Sequence, residues 1–217
     1  MRNFFPRLFA ALPDAITAGV FLTVWVAPAV AGRERIKNLM LTMLIEFIVV
    51  HSSGFYGGIL AMKDTSRVKR EFALLGFATF YLIFVLAFSL GFGSAWPIWA
   101  FLWLLGSRFV HLWVAPANDD EATTRMMTLW AISVAAYVLG AIATVMLPLP
   151  ALGITPAVIA SLDLKGGGEW IARPYTVLAF GALYFGIQAW AKYALSGNAT
   201  AQRATLVKSV MTRRQSQ

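Results

Sequence analysis

Between Phe72 and Ala115 the chain carries a single Asp, Glu, Lys or Arg, Arg108, and is otherwise apolar, aromatic or small. A bilayer core is crossed by about 20 apolar residues, so this stretch is too long for one span. The punctuation GFGSAWP at 91–97 divides it into two, 72–92 and 95–115. Backbone amides in lipid have to be satisfied within the chain, which apolar runs of this length do as helices. Four further runs of similar length are found at 8–31, 39–62, 126–147 and 174–195.

The expected fold is therefore an all-α integral membrane protein, a bundle of about six transmembrane helices forming one domain over residues 1–197. A basic tail, 198–217, follows. Composition agrees: 59% of residues are hydrophobic and only 13% charged, where a soluble domain carries about a quarter. Trp96, Trp99, Trp103, Trp113 and Trp130 fall toward span ends, as an interfacial aromatic belt does. Cysteine is absent, which removes disulfides, thiolate metal sites and cysteine nucleophiles.

The first run could be read as a secretory signal, with Arg2 and Arg7 in front and Ala29-Val30-Ala31 as a cleavage site. Pro13-Asp14 interrupts its front, and a retained first span with Asp14 near the headgroups is the expectation. The connection 149–173 is the longest. Thr155-Pro156 within it suits a short helix start, with proline at the first helical position.

Six spans put both termini on one side. Arg2, Arg7, Lys63, Arg67, Lys69, Arg70, Arg125, Arg203, Lys208, Arg213 and Arg214 fall on that side, against Arg33, Arg35, Lys37, Lys165 and Arg173 on the other. The positive-inside rule then places both termini in the cytoplasm, and a bacterial cytoplasmic (inner) membrane is the expected location. The basic link 33–37 is an exception to the rule and keeps a five-span or re-entrant arrangement open. The net charge of +8 sits in short loops and the tail, where it meets anionic lipid rather than nucleic acid.

Chemistry is sparse. Glu46 and His51 interrupt the second run, and Arg108 and His111 interrupt the fourth. Ionisable groups at membrane depth are costly and need an internal partner. In the six-span arrangement the second and fourth spans run in the same direction, which allows Glu46, His51, Arg108 and His111 to form one polar cluster. Asp14, Ser52, Ser53, Gly54 and Gly58 are candidate supporting residues; the two glycines share a small-xxx-small spacing that admits close helix approach. The cluster reads equally as an internal Glu46–Arg108 pair that fixes helix register and as a working proton or cation site.

No metal site is expected, because carboxylate-bridged centres need several more carboxylates than this chain carries at membrane depth. No cofactor is expected either; haem ligation through His51 and His111 is the remaining alternative, with the two rings offset in depth. No G-x-S-x-G elbow or other catalytic constellation is present. Three functions follow. The first is a non-catalytic integral subunit of a membrane complex, with a membrane-protein partner or a second copy of itself. The second is a small proton- or cation-coupled transporter or channel using Glu46 and His51, and the third a membrane-embedded enzyme or haem protein.

Overall fold

The computed structural model describes residues 4–32, 34–61, 66–93, 95, 97–99, 101–102, 120–164 and 167–215, with the side chains beyond residue 195 left aside. Its described residues are helical and contain no strand. Helix α1 is Phe4–Val26, α2 is the short Pro28–Ala31, α3 is Glu34–Ala61 and α4 is Arg67–Phe92. Helix α5 is Asp120–Met146, α6 is Pro156–Ser161, α7 is Glu169–Ala172 and α8 is Pro174–Gln215.

Four helices contain segments long and apolar enough to cross a membrane: Arg7–Val26, Glu34–Phe55, Val68–Gly91 and Thr124–Met146. Much of their apolar surface faces outward. On α1 the exposed residues Phe5, Phe9, Leu12, Ile16 and Val20 recur every three or four positions, and Phe72, Leu75, Ile83, Leu86 and Leu90, with Thr79 in the gap, do so on α4. Stripes of this kind suit hydrocarbon, where an outward leucine costs nothing. The first apolar run, expected as a span over 8–31, is helical to Val26 and resumes at Pro28, because a proline at that position starts a helix well and cannot continue one.

The sixth run is not among those four apolar helices. Tyr175, Thr176, Tyr184, Gln188 and Lys192 lower its apolar character, and its position explains why they are allowed. The bundle half of α8 is the central helix, packed against α1, α5, α3 and α7. Val177, Leu178, Phe180, Tyr184, Phe185 and Gln188 are all buried there. A helix surrounded by other helices does not need an apolar exterior. Past residue 195 the helix continues without a break to Gln215.

Side-chain pairs give the directions. Phe21 stacks on Phe185 at 5.6 Å between ring centroids, while Asp14 reaches Lys192, so α1 and α8 are antiparallel. Tyr137 donates to the Met43 carbonyl at 2.8 Å and Trp130 to the Val50 carbonyl at 3.0 Å, so α3 and α5 are antiparallel. Phe55 stacks on Phe77 at 4.7 Å and His51 meets Tyr81 edge-on at 6.1 Å, so α3 and α4 are antiparallel too.

Residues 147–164 close one end of the bundle. The Trp25 indole donates to the Pro150 carbonyl at 3.1 Å, and the Gly153 amide donates to the Trp25 carbonyl at 3.1 Å. Ile154 and Leu162 are buried beneath this turn. Helix α6 begins at Pro156, with the Thr155 hydroxyl accepting from the Val158 amide, which is the local start that Thr155-Pro156 implies.

Candidate functional site

Glu46 lies near the middle of α3 and points toward α8. The Tyr184 hydroxyl donates to Glu46 Oε1 at 2.7 Å. Tyr184, Gln188 and Lys192 recur every fourth residue and so form one polar face of α8. Gln188 Nε2 donates to Ser133 Oγ of α5 at 2.6 Å. Lys192 Nζ pairs with Asp14 Oδ2 of α1 at 2.6 Å, with the lysine side chain 37% and the aspartate 12% exposed.

These groups line one cavity of about 190 Å³ between α1, α3, α5 and α8. Ser53, Trp130, Met126 and Met127 complete its wall. Its lining runs from Glu46 and Tyr184 to Met126, Asp14 and Lys192, toward the end of the bundle where α5 begins. Beyond it stands an aromatic plug. Tyr137 and Phe180 are edge-to-face at 4.8 Å, Tyr184 and Phe185 at 5.1 Å, and Phe185 stacks on Phe21. These packed rings stand between the cavity and the α6 end.

The charges in the cavity do not balance. Asp14 and Lys192 form an ion pair, whereas Glu46 accepts from the Tyr184 phenol. Among the described residues that line it, two carboxylates face one ammonium, a composition that electrostatically favours a further positive charge such as a proton or a small cation.

Comparison of the chain with models of known protein families, with characterised proteins and with solved structures finds no match. The site therefore rests on its own geometry.

The residues expected to cluster are divided by the structure. His51 follows Glu46 by five positions, about 140° around the helix, and faces α4 instead of α8. It is exposed beside a groove of about 640 Å³ shared with Phe55, Ala73, Gly76, Phe77, Phe80 and Tyr81. Phe47 stacks on its ring at 5.5 Å and Phe55 tilts against it at 5.6 Å. Arg108 and His111 lie outside the described residues, so both the Glu46–Arg108 pair and the His51–His111 haem alternative fall there. Among the described residues no three His, Cys, Asp or Glu side chains converge as metal ligands would.

The supporting residues also separate. Asp14 and Ser53 line the cavity. Ser52 is buried and bonds the Val49 carbonyl of its own helix at 3.2 Å, as Ser53 does at 2.6 Å. Gly54 faces α5, and a methyl group there would overlap the Trp130 indole. Gly58 has open space around it. Trp130, placed by sequence in the interfacial belt, instead lines the cavity and bonds α3.

Gly54→Ala is accordingly expected to lower stability by about 1–2 kcal/mol, because the indole would have to leave the Val50 carbonyl. Thermal melting in detergent measures it, and Gly58→Ala, in open space, is the matched control with no loss.

Sequence reasoning missed Lys192, Tyr184, Gln188 and Ser133. A signal existed: residues 184, 188 and 192 are polar at helical spacing within an otherwise apolar run. A lysine near the end of a span reads as a side chain reaching for the interface, which concealed it.

Proposed function

We propose that this protein is a small proton-translocating carrier of a bacterial cytoplasmic membrane, in which Glu46 takes up and releases the proton. The observation that carries this reading is the polar cavity that reaches Glu46 from one end of the bundle and stops at an aromatic plug. A half-channel of this kind gives an ionisable group access to one side of a membrane at a time. With a proton on Glu46 the surplus negative charge is gone, and the Tyr184 hydroxyl no longer has a charged acceptor. Release of Tyr184 frees a member of the plug, since the same ring packs against Tyr137 and Phe185. The proton then leaves toward the α6 end when the plug parts.

Helices α4 and α5 are both antiparallel to α3, so Phe92 and Asp120 stand at opposite ends of the bundle, an arrangement compatible with the six spans expected from sequence. The Lys192 and Asp14 part of the lining lies toward the end of the bundle where α4 begins, the end at which the sequence places Arg67, Lys69 and Arg70; on the charge rule, we turn that end to the cytoplasm and its anionic lipid.

In proteoliposomes holding a pH-sensitive dye, a potassium diffusion potential is expected to drive proton entry. Glu46→Gln is expected to lower that flux at least tenfold while eluting as the folded wild-type protein does. Equal flux in the two proteins would overturn the proposal.

A second reading, an integral subunit of a larger membrane complex, is favoured by the groove at His51. Exposed aromatic rings around one imidazole make a surface that a neighbouring membrane helix could cover. Purification in mild detergent followed by mass spectrometry should then recover one fixed partner or a homo-oligomer. Repeated recovery of a monomer would remove this reading.

A further inference from the structure

We infer that Lys192 is the specificity-determining residue of the cavity, a tethered cation that reserves Glu46 for a proton by excluding metal cations. The inference rests on the proton reading of Glu46. Hard cations bind where oxygens and net negative charge are gathered, and the walls of the cavity carry both, with one lysine among them. Helix α1 contributes the Asp14 carboxylate, α3 contributes Glu46 and Ser53, and α5 contributes Ser133. From α8 come Tyr184, Gln188 and Lys192. Arg7 stands over the Tyr193 ring, 5.9 Å from its centroid, and adds positive charge at the same end.

Without Lys192 the two carboxylates would present two negative charges among hydroxyl and amide oxygens, which is a site for sodium or potassium. With it, the ammonium holds Asp14 at 2.6 Å and fills the place a metal cation would take. The charge that remains is one unit, at Glu46, and a proton neutralises it without needing a coordination shell. Lysine does this because its charge sits at one compact point on a flexible stem.

The test compares purified wild type, Lys192→Met and Lys192→Arg in detergent, with sodium, potassium or lithium chloride exchanged for choline chloride at constant ionic strength. Wild type and Lys192→Arg should melt at the same temperature in every salt. Lys192→Met should be stabilised by at least one of the three cations, with an apparent affinity at least tenfold tighter than wild type. Adding Glu46→Gln to Lys192→Met should abolish that response, which places the cation in this cavity. Lys192→Gln replaces Lys192→Met if the latter does not fold.

Two results overturn the inference: stabilisation of wild type by a metal cation, or a Lys192→Met or Lys192→Gln variant that folds and ignores all three. The proton reading fails separately. If wild type shows no Glu46-dependent proton flux, that reading is lost, while the salt response still decides the role of Lys192. If flux depends on Glu46 and Lys192→Met ignores every cation, only the specificity role is lost.

Discussion

Gly181→Val is expected to cost about 3 kcal/mol or more and to remove most of the folded protein from a detergent extract. Gly181 lies on the bundle half of α8, where a Cβ would overlap the ring of Phe21 on α1. Phe21 has 0% of its surface exposed and stacks on Phe185, so it has nowhere to move. Overpacking a fixed core site usually costs about 1–3 kcal/mol, and here the added group meets the largest helix–helix contact of the bundle. Gly186→Val, on the same helix with open space around it, is the control. It is expected to stay within about 0.5 kcal/mol of wild type, as changes away from packed sites do. Melting followed by circular dichroism separates the two, and equal melting temperatures would mean that Phe21 has room to yield.

The second large effect is expected at Asp14 and Lys192. Asp14→Asn and Lys192→Gln should each destabilise by about 1–3 kcal/mol. That range lies between the small value of an exposed ion pair and the 3–5 kcal/mol lost when a fully buried pair is broken from one side. The lysine is too exposed for the upper figure. The double variant Asp14→Asn/Lys192→Gln removes both charges together, so its loss should be smaller than the sum of the singles by about 0.5 kcal/mol or more. Additive losses would show that each side chain is held by something other than its partner.

Membrane character and helical class were legible because apolar run length is a direct physical requirement of the bilayer. The runs at 39–62, 72–92 and 126–147 correspond to α3, α4 and α5 within a few residues. The bundle's centre was not legible. Tyr184, Gln188 and Lys192 make the sixth run look like the weakest span, and they are tolerated because that face of α8 packs against other helices. Hydropathy registers the environment that a helix can tolerate, and a central helix tolerates polar groups that an outer one does not.

At the site, Glu46 was legible as a charge at membrane depth, and Asp14 only as one near the headgroups. Their partners were not, because pairing depends on which helices adjoin, and adjacency has no one-dimensional signature in a chain without repeats. His51 was grouped with Glu46 by depth alone. The five-residue spacing turns it to another face, so depth was a weaker guide than angle. Ser52 and Ser53 bond their own helix, the usual outcome for serine at that position.

The two bonds from α5 to α3 also bear on how the molecule can move. Tyr137 to the Met43 carbonyl and Trp130 to the Val50 carbonyl are seven residues apart on both helices. A slide of one turn, about 5.4 Å, would break both bonds at once, which ties α3 and α5 to each other. Glu46–Tyr184 and Ser133–Gln188 join that pair to α8 by hydrogen bonds between side chains. A shear between that pair and α8 would therefore run through the cavity, across the side chains that line it.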